Sequence, residues 1–350
     1  MSQTNDYDEI KGIAHKSVSQ WLTTHVRGVK APYSFEVIAG GHSNLTYLVV
    51  DSRGRRMVLR RPPLSHALAS AHDMNREHRI ISALRNSVVP VAPALGMCDD
   101  PTVNGAPFYV MDFVDGLIIR DQQSAEKLLT PETRVRASES LIDTMAAIHT
   151  VNIAEVGLHD LARHERYIER QLKRWYGQWN AQKTRDLAAI DLVHDQLLAR
   201  IPPQGEATIV HGDYRLDNCI VSDSGDLVAV LDWEICTLGD PLADLGLLMV
   251  YWTGPDDDAI VAAYQATKTP GFFNREDLIR RYATVSGRDV SQLDFYIAFA
   301  LWKYACIIEG VYARYLGGAL GERSIAELEP FKMQVDSAAA HAEILLARLH

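Results

Sequence analysis

The sequence has 350 residues, 47% of them hydrophobic and 23% charged, with a net charge of −10 and an isoelectric point near 5.7. That length suits two lobes or domains better than one simple core, and that balance excludes extended disorder. The acidic charge argues against non-specific nucleic-acid binding, which needs a basic surface to displace counterions, and it is compatible with a cationic substrate.

The N-terminal MSQTNDYDEI is polar and acidic, with no basic stretch leading into an apolar run, so no secretory signal is expected. Ser34–Ala39 and Thr46–Asp51 read as strands flanking Gly40-Gly41-His42-Ser43-Asn44, and a third covers Met57–Arg61 after the turn Ser52-Arg53-Gly54-Arg55. Pro62-Pro63 ends that strand, because proline cannot donate to a ladder. A helix over about Asp73–Asn86 carries Met74, Ile80, Ile81 and Leu84 on its apolar stripe. Strands near Ala94–Cys98 and Phe108–Phe113 follow, with Asn104-Gly105 as a hairpin-turn signal between them. The expectation is a five-stranded antiparallel sheet with one helix.

After Val114-Asp115-Gly116 the periodicity becomes helical. Pro131–Thr150 has Thr130 as N-cap and proline in its first turn, and Leu161–Trp179 is a second helix. A β-rich island, Thr208–Trp233, interrupts the helices. Helical segments then fall near Leu242–Trp252, Asp257–Ala266, Glu276–Ser286, Gln292–Arg314 and Ile325–Leu349. The apolar stretch around Leu245–Trp252 is too short to span a bilayer. Cys98, Cys219, Cys236 and Cys306 form no C-x-x-C pair, which points to a reduced, intracellular, cytoplasmic chain. A small β-rich region followed by a large helical one that holds a β island is the outline of a kinase-type fold.

The island carries the chemistry. Phosphoryl transfer needs a held Mg²⁺, an aligned hydroxyl and a proton acceptor, and Mg²⁺ takes hard oxygens from few protein groups. His211-Gly212-Asp213 follows the apolar strand Ala207–Val210 and starts a loop ending at Asn218, before the strand Cys219–Val221. Asp213 is the candidate base, and Asn218 offers a neutral oxygen to the metal. The strand Leu227–Leu231, reached through the turn at Ser224-Gly225, delivers Asp232 as the second metal ligand. Each residue alone could simply cap a turn. The ordered set base, amide, acid on a β hairpin matches a phosphoryl-transfer site.

His211-Gly212-Asp213-x-x-x-x-Asn218, then Leu231-Asp232-Trp233-Glu234 and Gly239-Asp240-Pro241-x-x-Asp244-Leu245-Gly246, resemble the aminoglycoside phosphotransferase and choline kinase superfamily over about Phe35 to Tyr312. The resemblance implies an α+β, protein-kinase-like two-lobed fold. Residues 1–113 would be the nucleotide-binding lobe, residues 114–350 a mostly helical catalytic and acceptor-binding lobe, with a hinge about 112–117. It implies ATP and Mg²⁺ as cofactors, Asp213 as base, Asn218 and Asp232 on the metal, and His211 and Asp244 as supporting residues of the loop. Asp244 could equally be a first-turn carboxylate favoured by the helix dipole. The glycine-rich segment with Gly41, Ser43 and Asn44 would cover the phosphates, though a Gly-Gly pair also makes plain turns. Arg60 stands where the family has a strand lysine, with Glu77 as its helix partner; it could bind phosphate in bidentate fashion or be a surface arginine on an edge strand. Met111, Asp112 and Val114 would meet the adenine, with Val58 beside Met111.

For the acceptor, Arg163, Arg166, Arg170, Lys173 and Arg174 lie opposite the stripe Ile168, Leu172, Trp175 and Trp179, as a solvated face or as an anion-binding patch. Tyr47, Val58-Leu59-Arg60-Arg61-Pro62-Pro63, Phe108-Tyr109-Val110-Met111 and Cys236-Thr237-Leu238-Gly239-Asp240 look closest to the kinase-like domains associated with acyl-CoA dehydrogenases. That resemblance points to a small-molecule hydroxyl acceptor, a hydroxyacyl compound or its CoA thioester, with an aminoglycoside or amino alcohol as the alternative. Neither a nucleic-acid nor a membrane partner is expected. The Arg60 departure keeps a non-catalytic nucleotide-binding pseudokinase open. Gly239-Asp240-Pro241 starts a helix so soon after Asp232 that no activation loop of a protein kinase is visible.

Overall fold

Two-residue alternation builds the first sheet. In the computed structural model the described residues are 10–39, 44–64, 73–257, 264–321 and 323–349. Strands β1 (Ser34–Ala39), β2 (Leu45–Val50), β3 (Arg56–Arg61), β4 (Ala94–Cys98) and β5 (Phe108–Asp112) pair antiparallel in the order β1-β2-β3-β5-β4. Tyr47, Met57, Leu59 and Phe108 are buried together with Val18, Trp21 and Leu22 of helix α1 (His15–His25). The ring of Trp21 meets Phe108 edge-on at 4.9 Å. This helix has no counterpart in the sequence expectation. Its buried apolar residues are few, and Ala14 at its start provides no side-chain cap.

Successive residues point to opposite faces of a strand. Val58 and Arg60 therefore share the other face with their cross-strand partners Met111 and Tyr109. Helix α2 (Met74–Leu84) packs near β4 and β5, its first turn capped by the Asp73 carboxylate. The Asn104-Gly105 expectation is corrected. A short helix α3 (Pro101–Asn104), capped by Asp100 and closed by left-handed Gly105, joins β4 to β5 in place of a two-residue turn. Proline after an N-cap aspartate starts a helix more readily than a hairpin turn.

The chain divides into two units. The first runs to Asp115 and takes back Ala229–Glu234. Val230 bridges Val91 in parallel and donates its N–H to the Pro90 carbonyl at 2.8 Å.

The second unit comprises Gly116–Val228 and the chain from Ile235. It contains α4 (Gln122–Leu128), α5 (Pro131–Thr150), α6 (Tyr167–Gln182) and α7 (Ala188–Ala199). Next come β6 (Thr208–Val210), β7 (Cys219–Val221) and β8 (Leu227–Val230), the last crossing into the first unit, and β9 (Thr237–Gly239). The unit ends with α8 (Leu242–Tyr251), α9 (Arg275–Ser286), α10 (Leu293–Leu316) and α11 (Ile325–Arg348). Thr130 caps α5 in a reciprocal pair with Thr133. β6 pairs with β9, and β7 with β8.

Helix α6 begins at Tyr167, not at Leu161 as its sequence suggested. Arg166 is in the left-handed region, φ 52°, and the Gln204 side chain accepts the Tyr167 N–H at 2.9 Å. The expected helix over Asp257–Ala266 falls mostly outside the described residues; Ala266–Lys268 is a single 3₁₀ turn. Helix α10 is long and apolar enough to cross a membrane, and 72% of its most apolar window is buried. It is a core helix, packed against α11, α8 and α6. Gly246 of α8 permits that approach: a Cβ there would lie 2.7 Å from the Tyr296 backbone.

Candidate active site

The loop after β6 is organised from beneath by Asp244, in the first turn of α8. Its carboxylate accepts the backbone N–H of His211 at 2.6 Å and of Gly212 at 2.8 Å, and faces His149 Nε2 at 3.3 Å. His149 in turn meets the Tyr282 hydroxyl at 2.8 Å. Burial pushes the Asp244 carboxyl up, but His149, His211 and the Gly212 amide outweigh it and hold the group below its ordinary value. Asp244 is thus both a first-turn carboxylate and the anchor of the loop. Gly212 has φ +87°, and a Cβ there would stand 3.2 Å from the Ile235 side chain, so the tight turn into Asp213 asks for glycine.

That turn aims Asp213. Its N–H donates to His211 Nδ1 at 3.3 Å. Its Oδ2 accepts from Arg215 Nε at 3.0 Å and from Asn218 Nδ2 at 3.0 Å. Oδ1 takes no protein donor among the described residues. The same Asn218 amide donates to the Asp213 backbone carbonyl at 2.8 Å. With its nitrogen so engaged, Asn218 keeps its carbonyl oxygen for another partner. Arg215 also pairs with Asp217 and lies over the Tyr264 ring at 4.4 Å. Burial works against its charge, and Asp213 and Asp217 reverse this and raise its pKa.

In the first unit, Arg60 joins two carboxylates. Nη1 lies 3.0 Å from Glu77 Oε1, and Nη2 donates to Asp232 Oδ1 at 3.0 Å. Arg60 is on the third of five strands, and its side chain is 10% exposed, so the edge-strand surface reading does not hold. Burial disfavours the guanidinium charge, but Glu77, Tyr109 and Asp232 raise its pKa. Glu77 is pushed up by burial and held back by Arg60. Asp232 has φ 63°, a left-handed conformation that aspartate tolerates better than most residues, and its side chain is 30% exposed. Trp233 Nε1 donates to the Val230 carbonyl at 3.0 Å, which ties down the backbone around it.

Of the other predicted positions, Gly41 and Ser43 lie outside the described residues. Asn44 is buried and donates to Glu234 Oε2 at 2.8 Å. Met111 pairs directly with Val58 across β3 and β5. The Asp112 carboxylate is engaged by Arg55 at 2.7 Å, and Val114 follows β5 half-buried. The basic patch is weakened. Arg163 pairs with Glu165, Arg166 pairs with Glu169, and Arg170 donates to the Arg163 carbonyl.

The residues missed from the sequence are Arg215, Tyr109 and His149. Arg215 was findable, two positions beyond Asp213. Tyr109, the cross-strand neighbour of Arg60, needed the register. His149 carries no local signal, because its partner is 95 residues away.

The two sets of residues can be compared with known proteins. Residues 34–278 match the model of the phosphotransferase enzyme family. Mouse acyl-CoA dehydrogenase family member 10 is 34% identical over 301 residues, covering 85% of this chain and 28% of that protein. The probable acyl-CoA dehydrogenase IBR3 of Arabidopsis thaliana is 31% identical over 343 residues, covering 91% of this chain and 40% of its own length. The chain thus spans well under half of these curated relatives. A crystal structure of a candidate aminoglycoside phosphotransferase from Ralstonia eutropha JMP134 superposes with TM-score 0.79 at 30% identity, over 94% of this chain and 98% of that one. Aminoglycoside 2′-phosphotransferase-IIIa in its GDP complex shares the fold at TM-score 0.63 and 14% identity, over 93% and 99% of the two chains. The fold is α+β and protein-kinase-like, and by its family match this chain belongs to the phosphotransferase enzyme family that includes the aminoglycoside phosphotransferases.

Proposed function

We propose that this chain is an ATP-dependent small-molecule O-kinase in which Asp213 accepts the proton of the acceptor hydroxyl. The observation that carries this reading is the posture of Asp213. Arg215 and Asn218 both hold Oδ2, and Oδ1 is left to take a proton. The hydroxyl oxygen forms a bond to the γ-phosphorus, the bond from that phosphorus to the bridging oxygen of the leaving ADP breaks, and the hydroxyl proton passes to Oδ1. A loose transition state asks little basicity of the acceptor carboxylate, so a base paired with a guanidinium suffices.

A guanidinium at position 60 can bind nucleotide phosphate in bidentate fashion in place of the family's lysine. Its pairing with Glu77 argues against reading the substitution as a loss of function. Asn218 and Asp232 are the residues assigned to Mg²⁺, which on binding would neutralise phosphate charge. Each taken by itself has an oxygen suited to a hard cation: Asn218 retains its carbonyl oxygen, and Asp232 engages Arg60 through Oδ1.

The acceptor in this reading is a hydroxyacyl compound. Support comes from the curated relatives, which are named acyl-CoA dehydrogenases and are far longer than the matched region. The test is phosphate transfer from ATP to hydroxyacyl-CoAs and to kanamycin, followed by ³¹P NMR with and without Mg²⁺. A hydroxyacyl phosphate product supports the reading. A kanamycin phosphate, or no phosphorylated product from either class, overturns it.

A further inference from the structure

Lys303 sits on the inner side of α10, beside the loop that carries the base. It lines a small cavity with Tyr167, Gly212, Asp244 and Phe299. The cavity measures about 10 Å³, room for roughly one oxygen-sized group. Among the described residues, no carboxylate forms a salt bridge with the Lys303 ammonium. Its charged neighbours are Asp244 and Asp213, both attractive, and Arg174, repulsive. Its aromatic neighbour is Trp175 of α6, whose ring centroid is 5.6 Å away. Burial drives the ammonium below the usual lysine range, and the two aspartates oppose that shift.

Lys303 is partly buried, and a cation withdrawn from solvent without a paired carboxylate is costly unless something else accepts its protons. The indole face offers a weak partner and no hydrogen bond. The Asp244 carboxylate in the cavity wall forms no salt bridge with Lys303, and the cavity has room for one further oxygen-sized group. The side chain also stands within electrostatic reach of Asp213, toward which an acceptor hydroxyl must be brought.

We propose that Lys303 is the acceptor-recognition residue: its ammonium donates to a carboxyl-derived oxygen, carboxylate or thioester carbonyl, on the molecule whose hydroxyl faces Asp213. This rests on the kinase reading and narrows it. A cationic amino sugar would gain nothing from a lysine here and would be repelled by it. Leu247 and Phe299, which line the same cavity, put an apolar wall beside the charge. Lys303 binds and orients; it moves no proton.

The experiment uses the full chain, the Lys303→Met and Lys303→Arg variants, and the isomeric hydroxybutanoates as free acids and as CoA thioesters. Circular dichroism and thermal melting first establish that the variants fold. Loss of one charged hydrogen bond corresponds to about 1.5–3 kcal/mol, so Lys303→Met is expected to raise the acceptor KM roughly tenfold to a hundredfold. The KM for ATP stays unchanged, and Lys303→Arg recovers part of the loss. The free-acid and thioester arms show which oxygen is read, since the penalty falls on the preferred form. Calorimetric binding of the same probes without nucleotide gives a readout that needs no turnover. An acceptor KM and binding constant unaffected by Lys303→Met, or equal rises in both substrates' KM, would overturn the assignment while leaving the kinase reading in place. Absence of phosphate transfer to any hydroxyl compound defeats the kinase reading, and the binding arm still judges Lys303.

Discussion

The side-chain amide of Asn218 holds Asp213 twice, donating to its backbone carbonyl at 2.8 Å and to its Oδ2 at 3.0 Å. One residue therefore fixes where the proposed base stands and which way its carboxylate faces. Asn218→Ala removes both bonds. A misplacement of about 1 Å at a reacting group costs on the order of a hundredfold, and kcat is expected to fall by about that factor. Steady-state kinetics check it, with a thermal melt showing the fold intact.

Arg60 spans Glu77 and Asp232 from a buried position. Arg60→Met strands Glu77 as an uncompensated buried carboxylate and is expected to cost about 3–5 kcal/mol of stability. Arg60→Lys keeps the charge and loses less, because one ammonium cannot fork between two carboxylates. The double variant Arg60→Met with Glu77→Met should regain most of the loss. Urea denaturation of the three proteins decides the matter; a double variant no more stable than Arg60→Met contradicts it.

Asp244 gives a pH prediction with a fixed sign. Its folded pKa lies below its ordinary value of 3.8. The stability it contributes is fully present above about pH 4 and is lost as pH falls through the folded value. Asp244→Asn should lower the melting temperature at neutral pH, because an amide nitrogen would face the His211 and Gly212 donors. It should also flatten the acid limb below about pH 4. Melting temperature recorded from pH 2 to 8 tests both expectations, and parallel curves for the two proteins contradict the second.

Much of this was legible before any fold was described. Strand alternation and turn residues placed all five strands of the first sheet, and Thr130-Pro131 placed the start of α5, because those signals are local. The sequence motif also pointed to the loop from His211 to Asn218, which the structure shows anchored by Asp244. Helix α1 escaped because it is short, weakly apolar and uncapped, and it is held by the sheet. The start of α6 escaped because a side chain 37 residues away, Gln204, caps it. His149 and Lys303 have neighbours that only the fold supplies.

Gly246 marks the close crossing of α8 and α10. Gly246→Ala would press a methyl group against the Tyr296 backbone, 2.7 Å away. Overpacking of this kind costs about 1–3 kcal/mol. The expected outcome is a lower melting temperature with the KM for ATP unchanged in the cold. A variant as stable as the parent would show that the helices part without cost.

The central claim is that Asp213 is the proton acceptor of a phosphoryl transfer. The direct measurement is turnover of Asp213→Asn beside the parent, with ATP, Mg²⁺ and a hydroxyacyl-CoA, together with nucleotide binding by calorimetry. A positioned base contributes about a hundredfold to ten-thousandfold. The account predicts a kcat loss in that range or beyond, with ATP affinity retained. An Asp213→Asn protein that turns over at the parental rate would contradict it.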